Sequence, residues 1–149
     1  MTRLMGGWTP QDGAVVTVLV GVGKGERTRL RKANRPIPQP RAVNALIDTG
    51  AEVSCIDPSV VPGLGLASKG FTLANLPAGG GLSATVEHSA EVRLAHPSGD
   101  PRDDFVAPDH ALTELPIGAL GYEMLIGRDL LVRCAFRLDG PSLTFTLDY

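Results

Sequence analysis

The segment Ala45-Leu46-Ile47-Asp48-Thr49-Gly50-Ala51 decides how the rest of the chain is interpreted. Three apolar residues suited to a buried strand lead directly into the carboxylate of Asp48. An isolated carboxylate at the end of a core strand is costly unless it is paired or hydrogen-bonded. Thr49 adds a hydroxyl, and Gly50 lets another segment approach the backbone closely. The pattern fits either an ordinary Asx-type turn or a site built around Asp48.

A second segment separates these two interpretations. It lies far downstream and reads Met124-Leu125-Ile126-Gly127-Arg128-Asp129-Leu130-Leu131. Together the two segments resemble the retroviral-type aspartic proteases, the retropepsins. The first is similar to their active-site turn, and the second to their apolar-Gly-Arg-Asp/Asn segment and the short helix that follows. Two motifs in the family's order are far more specific than either alone. The resemblance covers roughly residues 15–149, with looser agreement between the motifs.

The resemblance implies an all-β fold: a small, closed, mostly antiparallel barrel of the retropepsin type with one short helix, acting as a two-fold homodimer. It also implies that Asp48, Thr49 and Gly50 form the catalytic turn. Peptide hydrolysis of this kind needs one carboxyl as base and one as acid, and two carboxyls about 3 Å apart share one proton. The chain carries a single Asp-Thr-Gly, so a homodimer would supply the second Asp48 across its axis.

The substrate site is expected to include Ala51, Val53 and the glycines Gly79, Gly80 and Gly81, which indicates apolar substrate side chains and nothing finer. Three consecutive glycines permit positive φ and large local motion. In retropepsins a glycine-rich hairpin after the catalytic turn is the flap that closes over substrate, and this stretch occupies its place. An ordinary flexible hairpin is the alternative.

The resemblance also implies structural support for the catalytic turn. Glu52 stands where retropepsins usually carry Asp, and Arg128 where they carry the Arg of the second motif. These two positions form an ion pair in that family, so a Glu52–Arg128 pair is expected. The alternative is that Arg128 lies on an exposed helix end.

Length and composition limit the other function classes. A chain of 149 residues with 18 Gly and 12 Pro predicts one domain of short strands and many turns. A net charge of −2 gives no field that favours nucleic acid or a membrane surface. The longest apolar run, residues 14–20, is too short to span a bilayer, and the N-terminus does not read as a signal peptide. A cytoplasmic protein with peptide or protein substrates is expected, with neither nucleic acid nor membrane as partner.

The domain organisation follows from composition. Residues 1–13 lack periodicity and predict a flexible N-terminal arm, and the resemblance implies that residues 14–149 are a single retropepsin-like domain. Residues 24–41 contain seven of the 14 Lys and Arg residues and end in Pro36-Ile37-Pro38-Gln39-Pro40. They predict a solvated, basic, proline-rich insertion loop, with an anionic-partner site or a processing site as alternatives.

No cofactor and no metal are expected. Cys55 and Cys134 lie in apolar stretches and predict free thiols. The three histidines are scattered, and the acidic residues between positions 99 and 109 lack EF-hand spacing. The glycines of residues 21–25 lack the spacing of a phosphate-binding loop.

The predicted function is an aspartic endopeptidase in which two Asp48 carboxylates activate a water. The alternatives are a non-catalytic dimerisation or peptide-binding module that retains the fold, and a different all-β hydrolase with Asp48 as a lone base. The intact Asp-Thr-Gly and the flap candidate favour the protease. A short helix is expected at residues 127–132, and strands at 14–22, 42–47, 52–57, 71–76, 83–95, 105–107, 111–117, 122–126, 135–138 and 143–147.

Overall fold

A computed structural model describes residues 1–149, apart from the side chain of Ala78. Short 3-10 turns and two α-helices, α1 (Lys24–Lys32) and α2 (Arg128–Leu131), connect the strands. The strands are β1 (Arg3–Thr9), β2 (Gly13–Val22), β3 (Arg41–Ile47), β4 (Cys55–Ile56), β5 (Ala67–Asn75), β6 (Leu82–Leu94), β7 (Phe105–Glu114), β8 (Met124–Ile126), β9 (Ala135–Asp139) and β10 (Thr144–Asp148).

Six of these strands close into a barrel. Neighbours are hydrogen-bonded in the order β6-β7-β4-β8-β3-β2, and β2 pairs with β6 to complete the circuit. Alternate side chains fill the interior, as the two-residue period of a strand requires: Val16, Val18 and Val20 of β2 and Val43 and Ala45 of β3 are all buried. The expected all-β barrel is confirmed. Most pairings are antiparallel, but β3 with β8 and β4 with β7 are parallel.

The sheet extends beyond the barrel at both ends. On one side β5 pairs with β6 and makes a long hairpin, and among the strands that the structure describes β5 lies at the edge of the sheet. On the other side β1, β10 and β9 follow β2 in that order, so β9 is the second edge of the sheet. Neither described helix is long and apolar enough to cross a membrane.

The N-terminal segment departs from the sequence prediction of a flexible arm, because residues 3–9 form β1. This strand pairs antiparallel with β10, with Arg3 opposite Asp148 and Gly7 opposite Thr144. Trp8 packs against the core, and its indole nitrogen donates a hydrogen bond to the Asp139 carbonyl over 3.1 Å. The partner strand lies about 140 positions away in sequence, so local periodicity could not indicate this pairing.

The basic segment departs from the predicted loop as well, because residues 24–32 form helix α1. Leu30 is buried, and Asp109 accepts a hydrogen bond from the Gly25 N–H at the helix start over 3.1 Å. Glu26 pairs with Arg29 one turn later, and cations in the last turn face the negative end of the helix dipole. The start is stabilised by a carboxylate from another element, which the segment's own sequence does not reveal.

Two strand predictions also need correction. The strand expected at residues 52–57 is reduced to Cys55–Ile56, because the Ala51 and Glu52 carbonyls accept hydrogen bonds from the first turn of α2 instead. The two strands expected within residues 105–117 form one strand, β7, and an irregularity between Ala90 and Val92 of β6 preserves their pairing.

Adjacent glycines in β1 give a direct test of its role. A Cβ at Gly6 would lie 2.5 Å from the Phe145 ring, whereas a Cβ at Gly7 would meet nothing closer than 3.7 Å. We expect Gly6→Ala to lower the free energy of unfolding by about 1–3 kcal/mol through overpacking, and Gly7→Ala to change it little. Urea unfolding measures both values. Equal, small effects would mean that β1 does not pack as described.

Candidate active site

The Asp48 turn begins where β3 leaves the barrel. The Asp48 N–H donates to the Ile126 carbonyl of β8 over 2.9 Å, so the parallel neighbour strand fixes the start of the turn. The Gly50 N–H donates to Asp48 Oδ1 over 2.9 Å. Among the residues that the structure describes, no group donates to Asp48 Oδ2. An Asx-type turn is therefore present, and it leaves one carboxylate oxygen free to accept a proton.

The turn is open to solvent at its tip. Asp48 is half-buried, while Thr49 and Gly50 are exposed. A carboxylate in this position can meet another molecule without the desolvation that burial in the core would require.

A close crossing of two backbones joins the two sequence motifs. A Cβ at Gly127 would lie 2.6 Å from the carbonyl carbon of Val53 and 2.9 Å from the Ser54 nitrogen, so no other residue fits without moving the backbone. The Gly127 N–H donates to the Ser54 hydroxyl over 3.0 Å. This contact sets the segment after the Asp48 turn directly against the start of α2.

Asp129 holds that crossing from the other side. Its carboxylate accepts hydrogen bonds from the Ser54 N–H at 3.0 Å and the Ser54 hydroxyl at 2.7 Å, and it lies 2.9 Å from His110 Nε2. Burial on its own would raise the pKa of Asp129, but the hydrogen bonds from His110 and Ser54 outweigh it and lower the pKa. The carboxylate therefore stays ionised and keeps accepting these bonds at moderately acidic pH.

Arg128 contacts the turn, but not through the predicted partner. Its Nη1 donates to the Thr49 carbonyl over 3.0 Å and to the Gly50 carbonyl over 3.1 Å. Glu52 and Arg128 are both described, and no ion pair within 4 Å joins them, so the predicted Glu52–Arg128 pair is not formed within the chain. The guanidinium supports the turn through backbone carbonyls, which accept hydrogen bonds whatever the neighbouring side chain is.

A cleft of about 570 Å³ runs from this turn to the β5–β6 hairpin. Gly50, Ala51 and Val53 line it on the side of the turn, as do both Glu52 and Arg128. The opposite side consists of residues 72–75 of β5, and Leu115 and Leu125 add apolar surface. The cleft thus places Ala51 and Val53 beside the Asp48 turn.

The three glycines of the predicted flap lie at the tip of the β5–β6 hairpin, beyond the residues that line the cleft. The Leu76 N–H donates to the Gly81 carbonyl over 2.8 Å and closes the tip. Gly79 and Gly81 each have a φ of 76°, a backbone conformation that residues other than glycine rarely adopt, whereas Gly80 has an ordinary φ of −66°. The positive φ angles belong to the two outer glycines of the three.

Cys55 also lines the cleft, and its chemistry is relevant to the class of site. The thiol is free and buried, and burial together with Asp129 and Asp48 raises its pKa to about 11. A thiol that stays protonated at neutral and acidic pH is a poor nucleophile. Asp48 is therefore the better candidate for the reactive group at this end of the cleft. No group of three or more His, Cys, Asp or Glu side chains among the described residues is placed to hold a metal ion.

Sequence reasoning missed Ser54 and His110 as contributors to the site. Asp129 belongs to a recognised motif, but its partners Ser54 and His110 lie 75 and 19 residues away. Only the position of Ser54 shortly after the Asp-Thr-Gly turn gave a signal that could have been used.

Comparison with known proteins agrees with this geometry. A family model described as retroviral aspartyl protease matches residues 14–139. The match includes both motifs and every strand of the barrel. No curated protein matches the chain.

The contact between Arg128 and the turn can be separated from the expected ion pair. We expect Arg128→Ala to lower the free energy of unfolding by about 1–2 kcal/mol, because two backbone carbonyls lose a charged donor. Glu52→Gln is the matched control and should have little effect, and the double variant should behave like Arg128→Ala. Recovery of stability in the double variant would instead support the Glu52–Arg128 pair.

Proposed function

Because the chain belongs to the retroviral aspartyl protease family, we propose that it is an aspartic endopeptidase acting on extended segments of protein substrates. One observation carries the proposal: Asp48 lies in a rigidly held turn whose tip is exposed, and the residues that follow it, Gly50 and Ala51, line a cleft of about 570 Å³. The turn is held by β8 and by Arg128, so the carboxylate is positioned before substrate arrives.

The reaction requires two carboxyl groups with different protonation. The ionised Asp48 takes a proton from a water, and the water oxygen attacks the peptide carbonyl carbon. Asp48 of the partner subunit donates its proton to the carbonyl oxygen, which gives a neutral tetrahedral diol. The first Asp48, now protonated, donates its proton to the amide nitrogen, while Asp48 of the partner subunit takes a proton from a diol hydroxyl. The carbon–nitrogen bond breaks, which releases a carboxyl and an amine product and restores the starting protonation of the pair.

Three features support a homodimer as the active form. The chain has one Asp-Thr-Gly, so a single copy cannot supply both carboxyls. Thr49 and Gly50 are exposed beside Asp48, where a two-fold partner would cover them. The edge strand β9 has unpaired backbone groups on one side, and Leu138 on it is 47% exposed. Pairing of β9 with β9 of a second copy would be isologous and would extend the sheet.

The β5–β6 hairpin is proposed to act as the flap. Residues 72–75 already form one wall of the cleft, and the tip that continues from them carries two glycines with positive φ. Movement of this tip would cover a peptide bound against the Asp48 turn and exclude bulk water during the reaction.

The aspartic mechanism is tested by Asp48→Asn. The amide keeps the shape of the side chain but cannot act as a base, so we expect cleavage of a denatured-protein peptide library to fall by at least about a thousandfold. Folding and self-association should be unchanged, and wild-type cleavage should peak at acidic pH and be blocked by a pepstatin-type inhibitor. If Asp48→Asn cleaves at the wild-type rate, the mechanism is wrong. An inactive wild-type dimer would indicate a binding module.

The flap is tested by comparing two glycines that have nearly the same positive φ angle, so that alanine is equally strained at both. Gly81 and Gly99 have φ angles of 76° and 74°, and a Cβ at either position would meet nothing within 4 Å. Alanine at each should lower the free energy of unfolding by about 1 kcal/mol. We expect Gly81→Ala to reduce turnover severalfold and Gly99→Ala, in a remote turn, to leave it unchanged. Equal turnover in both variants would make the glycine tip an ordinary turn.

A further inference from the structure

Asp57 carries a buried carboxylate that the proposed mechanism does not use. It lies directly after β4 and is 7% exposed. Its Oδ1 accepts a hydrogen bond from the Ser59 N–H at 3.0 Å, and its Oδ2 accepts from the N–H groups of Ile117 at 2.9 Å and Gly118 at 2.6 Å. Three backbone donors on one carboxylate make a strong, directional anchor.

The backbone around Asp57 completes the anchor. The Leu115 N–H donates to the Ile56 carbonyl over 2.9 Å, and the Asp57 N–H donates to the Glu123 carbonyl over 2.9 Å. Positions 56 and 57 therefore hold both ends of the loop formed by residues 115–123, while the Asp57 side chain holds its middle. A Cβ at Gly118 would lie 3.0 Å from Asp57 Oδ2, so the contact leaves little room for any other residue there.

This loop forms part of the cleft. Leu115, at its start, lines the cleft directly. Ile117 is completely buried in a small apolar cluster with Leu115, Cys55 and Leu125. The three partners of Ile117 in this cluster all line the cleft, so displacement of Ile117 would move the apolar surface that a substrate side chain contacts.

We propose that Asp57 is a positioning residue that sets the side-chain selectivity of the cleft by fixing the loop of residues 115–123. The assignment rests on the proposed function, because selectivity has meaning only if the cleft binds a peptide. With the loop fixed, the pocket beside Leu115 and Leu125 has one size and accepts apolar side chains that fit it. With the loop released, the pocket adapts, and discrimination among apolar side chains falls.

The protonation of Asp57 suits an enzyme that works in acid. Burial alone would raise the pKa of this carboxyl, but hydrogen bonds from Ser59, Gly118 and Ile117 outweigh it and lower the pKa. A carboxyl with a lowered pKa adds stability above its unfolded pKa and loses it only as the pH falls through the folded value. The anchor therefore persists at mildly acidic pH.

The experiment compares four proteins: wild type, Asp57→Asn, Gly118→Ala and the control Asp109→Asn. In Asp57→Asn the side chain keeps one acceptor oxygen for the three N–H donors that converge on it. In Gly118→Ala the added methyl group crowds the same contact without altering the charge. Asp109 also accepts a backbone N–H, from Gly25 in α1, but lies outside the cleft. The readouts are amide hydrogen exchange at Ile117 and Gly118, the cleavage-site profile on a denatured-protein peptide library, and kcat and KM for one cleaved peptide.

We expect amide exchange at Ile117 and Gly118 to accelerate about tenfold or more in Asp57→Asn and Gly118→Ala, as loss of a hydrogen bond to a charged group implies. KM should rise about tenfold with kcat within about twofold, and the library profile should broaden among apolar residues next to the cleaved bond. Asp109→Asn should match wild type. If Asp57→Asn does not fold, Gly118→Ala gives the same readouts.

Faster exchange with an unchanged cleavage profile would overturn the selectivity role, and unchanged exchange would overturn the anchor itself. A wild-type protein that cleaves no peptide would overturn the proposed function and the selectivity role with it. The exchange rates separate that outcome from a failure of the anchor, because they do not depend on activity.

Discussion

The structure depends on the crossing of two backbones at Gly127. The segment after the Asp48 turn passes so close to the start of α2 that a Cβ at Gly127 would overlap the Val53 carbonyl group. This approach lets the Gly127 N–H reach the Ser54 hydroxyl, and it places Asp129 beside Ser54. Directly before the crossing, β8 pairs with β3 and holds the start of the turn, and directly after it Arg128 reaches the carbonyls at the tip.

The carboxylates near the cleft divide into two kinds. Asp57 and Asp129 are saturated with donors, and their pKa values are lowered, so they act as fixed anions that organise backbone. Asp48 accepts one hydrogen bond from its own turn and is half-buried and accessible. The same residue type is thus fixed as an anion in two places and left accessible in a third, depending on how many N–H groups surround it.

Much of the barrel could be predicted from the sequence, because its strands have local signals. Residues 14–22 and 42–47 carry the Val-rich and apolar patterns of buried strands, and both form strands. The hairpin turn expected at residues 139–142 joins β9 to β10. The two motifs indicated the turn and helix α2 with the correct family. The strands depend on short-range patterns of apolar residues, and the geometry of the second motif depends on Gly127, which lies within the motif itself.

The features that sequence missed depend on distant partners. Strand β1 pairs with β10 at the other end of the chain, and α1 begins on a carboxylate from β7. The predicted Glu52–Arg128 ion pair is wrong because the sequence shows two opposite charges but does not show that backbone carbonyls lie closer to the guanidinium than Glu52 does. The Asp57 anchor could not be found either, since two of its three donors lie 60 and 61 residues away. Long-range backbone contacts of this kind become visible only in three dimensions.

The central claim, that each active site is built from two copies of Asp48, is tested most directly by subunit mixing. A fixed amount of wild-type chain is equilibrated with increasing amounts of Asp48→Asn chain, and peptide cleavage is measured, with an unrelated protein added in parallel as control. Chains exchange into mixed dimers, and a mixed dimer has only one Asp48 carboxyl and should be inactive. Activity should therefore be proportional to the total chain concentration multiplied by the square of the wild-type fraction, so it should fall as Asp48→Asn chain is added. Activity that depends only on the amount of wild-type chain would mean that one Asp48 suffices, and would contradict the account.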